Sequence, residues 1–344
     1  MKDAYQAAMT RLLAGQDLQR QAAAAVMGQL MAGELAESQA AALLTALAVK
    51  GESAEEIAGM AAAMREHATA LPGAEDAIDT CGTGGSGMAT ANTSTMCAFV
   101  LAAGGARVVK HGNRSASGRC GSMDVLELLG GRIDLGPAGA GQVLEQVGIT
   151  TLYAPAFHPA MRHVMPVRRQ LGFRTVFNFL GPLCNPANVR RQVVGVCDPM
   201  RAETMAHALA TLGAERALVV HGTDGLDELT LCAASQIWVV REGSVHKQRF
   251  EPAELGLRCE PFPAIAGGGP AENAALFEAL LRGEEQGPHR QHLQLNAAAG
   301  MLVAGLSDDM ISGFELAGEL ISSGAGWRHF ETWRDATWQV EAPA

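Results

Sequence analysis

The chain has 344 residues, with 48% apolar and 18% charged residues, and 26 Lys and Arg against 36 Asp and Glu give it a net charge of −10. That length and composition suit a globular chain of two domains and exclude a disordered one. The acidic balance disfavours a general nucleic-acid binder, and no apolar run of about 18 residues is present to span a membrane.

The opening residues, MKDAYQAAMTRLLAGQDLQRQ, have scattered charges and no apolar run leading to a cleavage site, so they do not read as a signal peptide. Seven cysteines, at 81, 97, 120, 184, 197, 232 and 259, include no C-x-x-C pair and read as the reduced thiols of a cytoplasmic protein. Residues 1–70 read as helices only. QDLQRQAAAAVMGQLMAG and AESQAAALLTALAVKG are Ala/Leu/Met-rich and end at Gly33 and Gly51, and in SAEEIAGMAAAMREHA the pair Ser53 and Glu56 forms a capping box. These helices carry no obvious chemistry, and their small residues suit close packing or a subunit interface.

After Pro72-Gly73 the texture changes to short apolar strands alternating with helical stretches: AIDT, TMCAFVLAAGG, ARVVKHG and MDVLELLGG, and later TLYAP, QVVGVCD, RALVVHG and QIWVVREG. Such alternation predicts a parallel α/β sheet. Residues 158–182, HPAMRHVMPVRRQLG and RTVFNFLGP, look helical and interrupt the strands. The chain is therefore expected to cross between a helical and an α/β domain more than once.

Three loops at strand ends carry the candidate chemistry. CGTGGSGMATA follows AIDT and precedes a helix with Asn92 or Ser94 as N-cap. Its free backbone N–H groups make an anion site. Gly82, Gly84 and Gly87 spell G-x-G-x-x-G, but the helix starts well after Gly87 and the next strand ends in Lys110-His111 with no ribose-binding acid. A dinucleotide reading fails on that context, and no Gly-Lys-Ser/Thr follows to make a Walker loop. VVKHGNRSASGRCGSMD adds the cations Lys110, Arg114 and Arg119 among glycines, Asn113 and serines. Parallel strands end at one edge, so the two loops face one ligand, with one suited to a diphosphate and the other to a sugar phosphate. In HGTDGLDELTL, Asp224, Asp227 and Glu228 are adjacent carboxylates that suit Mg²⁺.

Taken in order, these motifs resemble the anthranilate phosphoribosyltransferase family nearly end to end. The family's G-T-G-G-D-G and N-x-S-T stand here as GTGGSG and NTST, and K-H-G-N-R is intact at Lys110–Arg114. G-S-A-D-x-L-E stands as GSMDVLE, the H-P-A-M to N-P block as residues 158–186, D-G-x-D-E as DGLDE, and N-A-a-A as NAAA at 296–299. The resemblance implies an α/β fold: a small N-terminal helical domain (1–70, joined by 158–185) and a larger α/β domain (74–157 and 186–344) with a mostly parallel central sheet. It implies phosphoribosyl diphosphate and anthranilate as substrates, Mg²⁺ as cofactor and a homodimer, with neither nucleic acid nor membrane as a partner.

Carried over residue by residue, the resemblance puts phosphoribosyl diphosphate against Gly82, Gly85, Thr90, Asn92, Thr93, Ser94, Thr95, Lys110, His111, Gly112, Asn113, Arg114, Ser117 and Gly118. Anthranilate falls to Gly82, Asn113, His158, Arg168 and Gly181, and magnesium to Ser94, Asp227 and Glu228. No acid, base or nucleophile is assigned, because an aryl amine can displace diphosphate when well positioned. Ser86 departs from the family's Asp, Met123 from Ala, and Cys120 from a common Ser. Pyrimidine nucleoside phosphorylases, nucleic-acid-binding homologues and NAD(P) oxidoreductases are the rival readings, disfavoured respectively by the intact KHGNR, DGLDE and PVRR, the acidic charge, and the missing ribose acid.

Overall fold

The structure is a computed structural model and describes residues 4–115 and 120–341. Four helices come first: α1 (Ala4–Leu13), α2 (Arg20–Met31), α3 (Glu37–Lys50) and α4 (Ala54–Glu66). Gly33 and Gly51, at φ +75° and +84°, turn the chain out of α2 and α3 in the left-handed region that favours glycine. Ser53 Oγ accepts from Glu56 N and Glu56 Oε2 accepts from Ser53 N, which closes the expected capping box at the start of α4.

The sheet has seven strands: β1 (Ile78–Thr80), β2 (Val108–Gly112), β3 (Ile149–Tyr153), β4 (Arg191–Gly195), β5 (Arg216–Gly222), β6 (Ser235–Arg241) and β7 (Ser244–Phe250). Their order is β3-β2-β1-β4-β5-β6-β7. The first five run parallel, whereas β6 and β7 are antiparallel additions. The β6–β7 hairpin turns at Glu242 and Gly243, both at positive φ (50° and 78°), as a tight two-residue turn requires. SVHKQRF in β7 does not read as a strand, because an edge strand with mostly exposed side chains has no apolar alternation to show.

The helices complete the layers. On one face lie α5 (Thr93–Ala103), α6 (Ser122–Leu128) and α7 (Pro137–Val147), then α12 (Pro270–Arg282), α13 (Pro288–Ala304), α14 (Met310–Ser322) and α15 (Ala325–Gln339). Phe99, Phe277, Phe330 and Trp333 form an aromatic cluster there, mostly edge-to-face, with ring centroids 5.2–5.9 Å apart. The short α8 (Ala154–Phe157) leads out of β3. The opposite core joins α1–α4 with α9 (Met165–Leu171), α10 (Phe177–Leu180) and α11 (Pro199–Thr211), and reaches Val194, Val219 and Trp238 on the sheet. The helical start therefore shares its core with one sheet face. Among the described residues no helix is long and apolar enough to cross a membrane.

Candidate active site

The sheet order fixes where a ligand can bind. From β1 the chain moves outward to β2 and β3 on one side, then returns to β4 and β5 on the other, so β1 and β4 flank a topological switch point. Helical crossovers leave a crevice there, beyond the carboxyl ends of the strands. A cleft of about 980 Å³ occupies that place, lined by the loop after β1, the ends of β2 and β4, Asp227 and Glu228, and the segment from Arg168 to Pro182.

The glycine loop is shaped by its neighbours. Gly84, Gly85 and Gly87 lie at φ +65°, +83° and +73°, where side chains bearing a Cβ are strained. Thr83 N donates to Gly195 O at 2.8 Å, which ties the loop to β4. A Cβ on Gly195 would overlap Asp227 O, so only glycine lets the acidic loop cross the end of β4. Arg174 donates to Gly85 O (3.1 Å) and Gly84 O (3.4 Å) from across the cleft. The loop is thus clamped from two sides.

Two loops converge on the acidic side. Asp224 accepts from Thr230 Oγ1 (2.7 Å) and Leu226 N (3.2 Å), so it builds the turn and does not line the cleft. Asn296 on α13 both donates to Leu229 O and accepts from Leu229 N, each at 2.9 Å, and holds the loop in register. Glu228 Oε1 accepts from Thr90 Oγ1 at 3.1 Å. Its Oε2 is buried without a hydrogen bond, 3.5 Å from an unpartnered His292 Nε2. Burial, with the Asp227 carboxylate beside it, pushes the Glu228 carboxyl up to about 8. Burial also lowers His292 to about 4, so that ring supplies no counter-charge at neutral pH. Such an uncompensated oxygen donor set fits a hard divalent cation. Among the described residues no group of three His, Cys, Asp or Glu is present, so most of a cation's coordination would come from hydroxyl, water and ligand oxygens.

The other expected residues divide clearly. Gly82, Gly85, Thr90, Asn92, Ser94, Thr95, Lys110, His111, Gly112, Asn113, Arg114, Arg168 and Gly181 line the cleft together. Ser117 and Gly118, with Arg119, lie outside the described residues. Among the described residues Thr95 Oγ1 is buried with no partner. Asn92 is the N-cap residue of α5 by position, at φ 59°, yet its side chain makes no cap. It donates to Cys120 O (3.2 Å) and accepts from Asn273 (2.9 Å). Thr93 sits behind the lining, where its hydroxyl meets His292 Nδ1 at 3.4 Å. Lys110 is 2% exposed and donates to Thr80 O at 2.7 Å. Arg114 pairs with Glu127 at 2.8 Å.

His158 does not line the cleft; it lies behind His111, with ring centroids 5.1 Å apart. His111 Nδ1 donates to Gly181 O at 3.2 Å. Burial, with His158 nearby, lowers His111 to about 3, and burial lowers His158 to about 4. Both rings are neutral in the folded protein, and a neutral His111 with a proton on Nδ1 leaves Nε2 as an acceptor.

This pair, with the buried His292, lowers stability toward acid pH. An unfolded histidine titrates near 6.5, so as pH falls from there toward about 4 the unfolded chain takes up protons that the folded one refuses. The pair's contribution to stability is complete above pH 6.5 and declines below it, by about 1.4 kcal/mol per pH unit for each histidine. Urea unfolding across this range is expected to show a slope that His158→Gln reduces by about one proton. An unchanged slope would place the titration elsewhere.

Arg168 is part-buried, its guanidinium carbon 5.3 Å from the Phe177 ring centroid, and its N–H contacts Met165 Sδ at 3.8 Å. It makes no ion pair among the described residues, whereas Arg169 is exposed and lies off the cleft. Ser86 folds its hydroxyl onto Met88 N and O, within the loop itself. Met123 is fully buried behind Gly112 and does not line the cleft. Arg174, Asn178 and Asn296 also line the cleft, although the motifs that contain them assign them no role.

A glycine cradle at the switch point of a parallel sheet, faced by carboxylates and an unpaired arginine, defines a group-transfer enzyme of the glycosyl transferase kind. Two family profiles agree: the glycosyl transferase family a/b domain matches residues 74–327, and the helical bundle domain of the same family matches residues 6–68. The chain belongs to this glycosyl transferase family and, within it, to the anthranilate phosphoribosyltransferases. It is 49% identical to anthranilate phosphoribosyltransferase 2 of Streptomyces coelicolor over 84% of this chain and 87% of that one. The crystal structure of the Thermus thermophilus anthranilate phosphoribosyltransferase matches with TM-score 0.90 and 46% identity over 96% of this chain and 99% of that one. The Saccharomyces cerevisiae enzyme in complex with PRPP and Mg matches with TM-score 0.89 and 26% identity over 99% of each chain, and that enzyme is also known in complex with 4-fluoroanthranilate.

Proposed function

We propose that the chain transfers the 5-phosphoribosyl group from phosphoribosyl diphosphate to the amine of anthranilate, releasing diphosphate and forming N-(5-phosphoribosyl)anthranilate in tryptophan biosynthesis. The carrying observation is the cleft at the β1–β4 switch point, with a glycine cradle, two adjacent carboxylates and Arg168 unpaired on its walls. Backbone N–H groups of the glycine loop and the start of α5 receive diphosphate oxygens, and the Thr95 hydroxyl and the Lys110 floor face the same anion. Ser94, Asp227 and Glu228 would hold magnesium, which when bound neutralises charge on the leaving diphosphate. Arg168 takes the anthranilate carboxylate through paired N–H donors, and Gly181 leaves room for the ring. Catalysis is then positioning of the amine against the anomeric carbon, together with stabilisation of the leaving group. His158 acts in this reading through His111, which it packs against.

The assay is loss of anthranilate fluorescence on adding phosphoribosyl diphosphate and Mg²⁺. Fluorescence that persists under these conditions would reject the assignment.

The same reading has a helical unit of 1–70 joined by 158–185 to an α/β unit of 74–157 and 186–344, and a homodimer formed through the helices. Leu13 and Val49, on α1 and α3, are 76% and 83% exposed, which suits a face covered by a second copy. Light scattering is expected to give twice the 35.9 kDa chain mass; a single chain mass would overturn it. All seven cysteines are free thiols, as suits the reducing cytoplasm.

A further inference from the structure

A second cavity, of about 300 Å³, lies at the opposite end of the sheet from the cleft, where α4 meets α11 and the start of β4. Its walls are of two kinds. Val189, Leu209, Leu212 and Ala214 are apolar and buried or partly buried. Arg65, Arg190 and Glu75 bring charge to the same cavity.

Arg65 is the part-buried charge of the three, whereas Glu75 and Arg190 are exposed and Arg190 lies near the Glu215 carboxylate. Arg65 donates Nε to Leu183 O at 2.7 Å, which fixes the guanidinium plane. Neither Arg65 nor Arg190 makes an ion pair among the described residues, and Glu75 makes none either. Among the described residues Glu75 Oε1 accepts from Gly73 N alone, at 3.3 Å. Arg190 and Glu75 are adjacent through their backbones, with Arg190 N donating to Glu75 O at 3.1 Å, yet their side chains stay apart. A part-buried arginine is costly without an anion, and burial does lower the Arg65 pKa. A part-buried, unpaired Arg65 on an apolar wall, with the exposed Glu75 carboxylate at the rim, matches a ligand that carries both charges itself.

We propose that this cavity is a binding site for an α-amino acid with an apolar side chain. The carboxylate meets Arg65, with Arg190 at the rim. The ammonium meets Glu75, and the side chain lies on Val189, Leu209, Leu212 and Ala214. The volume stands at the small end of ligand pockets, which suits a free amino acid better than a nucleotide. Gln192 lines the same cavity and donates to Pro182 O at 2.7 Å, and Pro182 lines the catalytic cleft, so the two sites share one hydrogen-bonded link.

The test is calorimetric titration of the full chain with L-leucine and L-phenylalanine, each up to about 10 mM. Binding of at least one is expected, weakened roughly tenfold or more in Arg65→Gln and several-fold in Glu75→Gln. Because Arg65 also braces Leu183, the exposed Glu75 variant keeps the test independent of folding. 4-Methylpentanoate, which lacks the ammonium, is expected to bind more weakly than leucine to the native chain and equally to the Glu75 variant. Absence of binding by both amino acids would overturn the proposal. So would binding unchanged in both variants, or binding lost in Arg168→Ala and kept in Arg65→Gln, which would put the amino acid in the catalytic cleft.

Discussion

Replacing Asp227 by Asn and Glu228 by Gln together is expected to lower turnover at least about a thousandfold and to remove its dependence on Mg²⁺. The two carboxylates stand side by side within the loop after β5, and one oxygen of Glu228 is buried with no hydrogen bond among the described residues. The burial of Glu228 and its closeness to Asp227, which push its carboxyl up, persist because the fold holds them there. Asn296 grips Leu229 on one side, and Gly195 admits the loop on the other. Amides of the same shape remove the Asp227 charge and the ionisable Glu228 carboxyl while leaving these supports in place, so the fold is expected to survive and the chain to unfold at the same or a higher denaturant concentration. Steady-state rates across a magnesium series, with urea unfolding alongside, check both halves. Turnover and magnesium dependence that match the native chain would remove this pair from the site.

Arg168→Ala is expected to raise the KM for anthranilate about ten- to a hundredfold while leaving phosphoribosyl diphosphate much less affected. Arg168 lines the cleft over Phe177, and burial lowers its pKa with no carboxylate among the described residues to offset the cost. A substrate carboxylate supplies the missing partner, and the loss of such a charge-assisted contact is worth roughly 1.5–3 kcal/mol. Arg169 is the control: neighbours on a helix point about 100° apart, and this one is exposed and off the cleft. Arg169→Ala is expected to leave both substrates within about twofold of the native chain. Varying each substrate in turn against both variants distinguishes the roles. Equal losses for the two substrates, or a larger loss at Arg169, would show that the wrong arginine is assigned.

Much of this protein follows from local order along the chain. The helical start, the alternation of strand and helix after Gly73 and the capping box at Ser53 are readable because each depends on neighbours a few residues apart. The three chemical loops are readable for a related reason: clustered glycine, asparagine and paired carboxylates at strand ends are residue types that an apolar core does not call for. β7 is not legible, since an exposed edge strand leaves no apolar period. Long-range contacts decided the rest. Asn92 reads as a cap and is spent on Asn273 and Cys120, 181 and 28 residues away. Thr93 and His158 carry the right motif and end behind the lining, whereas Arg174 reaches the glycine loop 89 residues back. Which face of a strand-end loop meets the cleft depends on what crosses it from elsewhere in the chain, and short-range patterns of side chains carry no record of that.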